Sequence, residues 1–397
     1  MDSNITSGYF ILTENCNLRC TYCFEKNTRA INKYMSKETA FRGIDFLFQE
    51  AIKNQTNPIN ITWFGGEPAL CPGLMSEMMD YAEQQAKEKE KEVTYHLITN
   101  GTIYNEQIEE FLEKWYDTKG KNVTIQLSID GIPAIQDKKR PCADSRRQSS
   151  ILVKEAVAKY KKFFADHEIP EDNLHIHACV SKDSLPFLYE SYQYFTGELG
   201  IRNSRFSWVI EDSWEDSDLE IFSQQLGLIT SKLCRITTNR KRFPFKHFHQ
   251  CSGCSSGRKL VCFDTEGTIY PCHRFFFYDK AKRKEMELGS LYHETSLNEE
   301  KRKAFIEFRD ESVTNRPCQI CIAVNHEYTG RLDRMPNDFS VKFMSIINQY
   351  FAHFSDVCEK RLMVEAIKKL ESRVTKLEEE NQELRERIEG KADLAHT

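Results

Sequence analysis

Residues 16–25 read CNLRCTYCFE and directly follow an apolar run at Tyr9–Leu12. Cys16, Cys20 and Cys23 are spaced by three residues and then two, on what reads as a loop at the carboxyl end of a strand. Three thiolates this close can wrap one face of a four-iron cubane and leave its fourth iron without a protein ligand. An open position is what catalysis requires, because substrate can bind there. A structural site would be closed by a fourth side chain. Read alone, the triad would also suit structural zinc with a distant fourth ligand.

Working outward, short apolar runs alternate with amphipathic stretches. Strands are expected at Tyr9–Leu12, Ile59–Phe64, Val93–Ile98, Val123–Ile129, Leu174–Cys179 and Ser204–Val209. Helices are expected near 36–54, 73–90, 105–117, 147–166, 184–198 and 216–235. Strict strand–helix alternation implies a parallel sheet with right-handed crossovers, and such sheets carry their chemistry at the carboxyl ends of the strands. Three further stretches fall at those ends: WFGGEPAL at 63–70, ITNGT at 98–102 and LSIDG at 127–131.

Together with the triad and Tyr22 just before its last cysteine, these stretches resemble the radical S-adenosylmethionine (SAM) superfamily over about residues 8–210. The resemblance implies an α/β fold built on a partial (βα)6 barrel. It implies a 4Fe-4S cluster on Cys16, Cys20 and Cys23 with one open iron, and SAM as cofactor. Gly65 and Gly66 would let the backbone approach SAM, and Glu67 would receive its ammonium group. Tyr22, Asn100, Ser128 and Asp130 complete the implied cofactor-binding set, with Ser128 and Asp130 near the ribose or carboxylate. KKRP at 138–141 matches a following element of the family. In such enzymes one electron cleaves SAM, and the resulting 5′-deoxyadenosyl radical takes a hydrogen from an unactivated carbon. No acidic C–H bond is needed, so the triad indicates no catalytic acid or base.

Beyond about residue 240 the alternation stops. The segment CSGCSSGRKLVCFDTEGTIYPCHRFFF at 251–277 resembles the SPASM-type extension of radical SAM peptide-modifying enzymes. The resemblance implies a small Cys-rich SPASM/twitch-like domain holding one auxiliary 4Fe-4S cluster on Cys254, Cys272, Cys318 and Cys321. Cys251, Cys262 and Cys358 stand as candidates for a second or alternative site, and zinc remains open as the staple of this region. The family's later cysteine positions are here Glu327 and Arg331. DTEG at 264–267 reads as a hairpin turn. Cys71, Cys142, Cys179 and Cys234 read as small buried hydrophobes, and His175, His177, His247 and His249 as strand-face or surface residues.

The tail has its own period. Ile367, Leu370, Val374, Leu377, Leu384 and Ile388 step by three and four, with Asn381 in the one gap. β-Branched residues at a, leucines at d and one Asn at a favour a parallel two-stranded coiled coil over about 362–389, hence a homodimer. The expected division is core barrel 1–215, helical bridge 216–250, SPASM-like region 251–345 and C-terminal helix 346–397.

Composition narrows the classes. The chain has 397 residues, with 55 Lys+Arg against 60 Asp+Glu, and this near balance gives no electrostatic reason for a nucleic-acid partner. No apolar run is long enough to span a membrane and no signal peptide opens the sequence. Most of its 14 cysteines are grouped, as metal ligands in a reducing cytoplasm would be. The SPASM resemblance implies a peptide or protein substrate, served by a reducing partner such as flavodoxin or ferredoxin. The product would be a thioether or carbon–carbon crosslink in a ribosomally made precursor. The barrel starts within about ten residues, so no leader-binding extension is expected before it. An anaerobic sulfatase-maturase that forms formylglycine is the alternative, although that family carries Asp where His273 follows Cys272. A non-catalytic iron–sulfur carrier or sensor would have no use for the SAM-binding stretches.

Overall fold

A computed structural model describes residues 4–24, 32–245, 254–293, 295–307, 321–332 and 338–393, excluding the side chains of residues 322, 325, 381 and 383–393. Six strand–helix repeats come first: β1 (Ser7–Ile11), α1 (Lys37–Lys53), β2 (Ile59–Phe64), α2 (Pro72–Glu88), β3 (Val93–Thr99), α3 (Glu106–Lys119), β4 (Ile125–Ser128), α4 (Pro133–Lys139), α5 (Ser149–Asp166), β5 (Leu174–Val180), α6 (Leu188–Thr196), β6 (Ser204–Trp208) and α7 (Asp216–Ile236). They agree with the expected elements except for α4, a short helix inside the stretch after β4. The strands are parallel in the order β6-β5-β4-β3-β2-β1, the parallel sheet that the alternation predicts, in the partial (βα)6 barrel that the resemblance implies.

Local chemistry starts and stops these elements. Ser36 caps α1 by accepting from the Thr39 amide, and Asn105 caps α3 through Ile108. Gly120 ends α3 at φ 56°, where a side chain would be strained. Along each strand one face is apolar and helix-covered: Phe10, Ile61, Trp63, Leu97, Ile125, Leu127, Ile176 and Ala178 are inaccessible to solvent. The other face carries Tyr9, Thr62, His96, Gln126, His175, His177 and Arg205 toward the barrel interior. His175 and His177 are therefore strand-face residues, as expected, whereas His247 and His249 lie outside the described residues.

The C-terminal half does not form a detached layer. β7 (Leu260–Phe263) pairs in parallel with β1, and β8 (Thr268–Tyr270) and β9 (Gly289–Ser290) follow antiparallel, making one nine-stranded sheet. The physical reason is the edge of β1, whose unpaired backbone groups β7 satisfies. Gly267 closes the β7–β8 hairpin at φ 83°, while Asp264 Oδ1 accepts from the amides of Glu266 and Thr268. Helices α8 (His273–Phe276), α9 (Lys280–Glu285), α10 (Glu299–Ile306) and α11 (Ile322–Thr329) precede one long helix, α12 (Phe339–Asp393). Its first turns pack on α7: Phe343 sits 4.9 Å from both Trp214 and Phe222 and 5.2 Å from Trp208, ring centre to ring centre. None of the described helices is long and apolar enough to cross a membrane.

Candidate active site

The cysteine loop is laced to the barrel by backbone bonds. The amides of Arg19 and Thr21 donate to the carbonyls of Pro141 and Lys139, Ala143 donates to Asn17, and Leu18 bridges Cys142. KKRP, which sequence reading left without a role, thus lies alongside the triad. Within this pairing Cys16, Cys20 and Cys23 are half-buried, and donors face two of the sulfurs. Leu18 N lies 3.4 Å and Asn100 Nδ2 3.8 Å from Cys16 Sγ; Arg140 Nη1 lies 3.9 Å from Cys20 Sγ. Amide and guanidinium donors favour the thiolate form that iron requires.

Arg140 lies in the KKRP stretch and beside the cysteine loop. It is buried, and its Nε stands 3.0 Å from Asp130 Oδ2, the same oxygen that takes the Tyr22 hydroxyl. Asp130 Oδ1 accepts from the Cys179 amide at 3.0 Å. Asp130 thus orients Tyr22 and Arg140 through the chain's own groups. Burial pushes the Tyr22 hydroxyl well above its usual range, so it stays protonated and donating. Cys179, read as a buried hydrophobe, is half-buried beside this cluster at the end of β5. Its alternation with His175 and His177 on one strand face was the available signal. Ser128, at the end of β4, is half-buried on the same inner face.

The glycine pair meets a packing constraint within the chain itself. A Cβ on Gly65, at φ 129°, would lie 2.5 Å from the Thr13 carbonyl oxygen, and one on Gly66 would lie 2.0 Å from the Asn15 carbonyl oxygen. The Gly66 amide donates to Thr13 and the Glu67 amide to Asn15, both at 2.8 Å. The glycines let this loop lie on the backbone that leads into the triad. Glu67 is buried and accepts three internal donors: Ala69 N at 2.9 Å, Thr99 Oγ1 at 2.6 Å and Asn100 N at 2.7 Å. A carboxylate has about four lone-pair positions, so one remains for an ammonium group. Burial pushes Glu67 up to about 7 against the pull of those donors.

In the second region Cys254 and Cys321 are neighbours of Cys272. The Cys272 thiol is buried and pushed up to about 12, first by desolvation and then by the sulfurs of Cys321 and Cys254. Cys251 and Cys318 lie outside the described residues. Two weaker candidates, Cys262 and Cys358, lie within regular elements. Cys358 is buried in the α7–α12 interface with Cys234 as its sulfur neighbour, because its helix runs along α7. Cys262 is a buried residue of β7 in register with Tyr9 and Tyr270. Among the described residues no three His, Cys, Asp or Glu side chains close on a point as ligands of a single ion do. His273 stacks on Tyr9 at 5.0 Å, and its Nδ1 is buried without a partner. Burial pushes its imidazole down to about 4. A cavity of about 280 Å³ joins the two halves, lined by Tyr22, Cys23, Phe24, Arg274, Tyr278 and Glu327 among others.

Residues 10–167 match the radical SAM superfamily. This part of the chain is a radical SAM domain. The domain's enzymes use a 4Fe-4S cluster and SAM, and the thiol donors described above fit that cluster. The uncharacterized protein MJ0907 of Methanocaldococcus jannaschii is 28% identical over 265 residues, 66% of this chain and 82% of that protein. The cysteine-type anaerobic sulfatase-maturating enzyme of Clostridium perfringens is 22% identical over 336 residues, covering 78% and 85% respectively. The subtilosin biosynthesis protein AlbA of Bacillus subtilis is 23% identical over 300 residues, covering 72% and 57%. In fold, the chain resembles native anSMEcpe solved with AdoMet and the Cp18Cys peptide. That likeness has a TM-score of 0.64 at 18% identity, covering 89% of this chain and 99% of the other.

Proposed function

We propose that this chain is a radical SAM peptide maturase that takes hydrogen from a carbon of a peptide or protein substrate and leaves a thioether or carbon–carbon crosslink in a ribosomally made precursor. The observation that carries this reading is the cysteine loop, where Cys16, Cys20 and Cys23 stand half-buried at the strand ends with Asn100 and Arg140 facing two of the sulfurs, together with a second group in which Cys254 and Cys321 neighbour Cys272. When bound, the cluster and SAM supply a one-electron cleavage of the sulfonium that yields a carbon radical able to abstract hydrogen.

The chain's own residues do the rest. Cys16, Cys20 and Cys23 would hold three irons, with Asn100 and Arg140 stabilising two of the sulfurs. Glu67 would take the SAM ammonium at its remaining lone pair, and Gly65 and Gly66 would hold that loop against the triad. Ser128 would contact SAM from the end of β4. Tyr22, Asp130 and Arg140 would keep the cysteine loop closed on the barrel and exclude water from the reacting carbon. Cys254, Cys272 and Cys321, with Cys318, would hold one auxiliary cluster, and an external reductant of the flavodoxin or ferredoxin class would supply the electron in a cytoplasmic setting.

A second reading rests on His273. Its Nδ1 is buried without a partner beside Cys272, where formation of formylglycine from a cysteine or serine would need a proton acceptor, although burial weakens the imidazole as a base there. The similarity to the Clostridium perfringens maturating enzyme supports it. One experiment tests both. Anaerobically reconstituted protein with dithionite and SAM should release 5′-deoxyadenosine, and Cys16→Ala should not; equal release from both would overturn the radical SAM reading. With a precursor peptide, a product that has lost two hydrogens and kept its sulfur supports the crosslink. A product whose aldehyde reacts with a hydrazide supports formylglycine.

A further inference from the structure

We infer that the tail of α12 is an interaction surface for a second copy of this chain, paired as a parallel two-stranded coiled coil from Met363 onward. The tie nearest the tail between α12 and the catalytic body, among the described contacts, is at Arg361, whose Nη1 donates to the Cys234 carbonyl at 2.9 Å. Beyond it the apolar residues are exposed: Met363 by 65%, Leu370 by 64% and Val374 by 52%, with Ile367 and Leu377 alike. At about 1.5 Å per residue, 363–393 is a rod of about 45 Å, and an exposed apolar stripe runs along it over Met363, Ile367, Leu370, Val374 and Leu377. Such a stripe marks an interaction surface.

The occupant follows from self-complementarity. Ile367, Val374, Asn381 and Ile388 fall at a, and Leu370, Leu377 and Leu384 at d, the distribution that favours two parallel strands in one register. Position g of one helix faces position e of the next heptad on its partner. In a self-pair Arg373 meets Glu378 and Glu380 meets Arg385, each twice by symmetry, so every such contact is attractive. A copy of this chain satisfies the whole seam. Because the body sits at the amino-terminal end of the rod, parallel pairing puts both catalytic bodies at the same end of the dimer.

The test measures the mass of full-length, iron-loaded protein by light scattering after size exclusion, at low micromolar concentration. Wild type should elute at twice the chain mass of 46.5 kDa. Leu370→Glu with Leu377→Glu should elute at the monomer mass, with iron content and 5′-deoxyadenosine release unchanged, because both side chains are exposed in the single chain. Arg373→Glu and Glu378→Arg should each weaken pairing on the order of tenfold. An equal mixture of these two variants should recover the dimer, since their charges are opposite across a parallel seam. A monomeric wild type, or a dimer untouched by the seam substitutions, would overturn the inference. Failure of the mixture to recover would overturn the parallel register, and neither result would touch the radical SAM reading.

Discussion

Glu67 shows what one buried carboxylate does when its donors do not offset its desolvation. Three internal hydrogen bonds hold it, yet burial pushes it up to about 7, above the usual carboxylate range. The folded state therefore prefers the neutral form, so this group lowers stability as pH rises from the unfolded value of about 4.3 toward 7. SAM binding runs the other way, because only the ionised form attracts an ammonium. The affinity of the iron-loaded protein for SAM should fall by about tenfold per pH unit below 7, and Glu67→Gln should flatten that dependence. Equilibrium binding of SAM between pH 5.5 and about 8.5 checks it; a slope retained by Glu67→Gln would remove this residue from the site. The motif that brings Glu67 here was legible in WFGGEPAL. The reason for its glycines was not, because the atoms they avoid belong to Thr13 and Asn15, some 50 residues earlier in the sequence.

At the scale of elements, the cysteine loop is held as a short ladder against residues 139–143, with Asp130 as the buried link from β4. Asp130 and Arg140 are both almost inaccessible, so each compensates the other's charge in a low dielectric. Arg140→Met would leave Asp130 buried with only the Tyr22 hydroxyl and the Cys179 amide. It should cost about 3–5 kcal/mol of stability, read by urea unfolding, and lower the iron bound per chain. Adding Asp130→Leu should recover part of that loss, because a buried pair replaced on both sides leaves no orphan charge. Strand and helix positions were read correctly because their periods are local. The ladder was not, because pairing between residues more than 100 positions apart leaves no periodic mark.

At the scale of the whole molecule, one continuous sheet carries both cysteine regions, and α12 joins the catalytic body to the tail. Phe343 anchors α12 among Trp208, Trp214 and Phe222, so Phe343→Ala should cost about 3–5 kcal/mol and lower the thermal midpoint, as calorimetry would show. A midpoint unchanged by that substitution would mean that α12 is not part of the folded body. The heptads of the tail and the triad were complete in the sequence, because spacing along one loop or helix is enough to specify them. So was the parallel α/β class, since alternation of strands and helices leaves few other topologies. Only the tertiary structure decided that β7 extends the barrel sheet, that Cys358 belongs to a helix interface, and that Arg140 and the Cys179 amide meet on Asp130. Each of these depends on which edge, face or buried charge remains unsatisfied after the local elements have formed, and that is a property of their packing together.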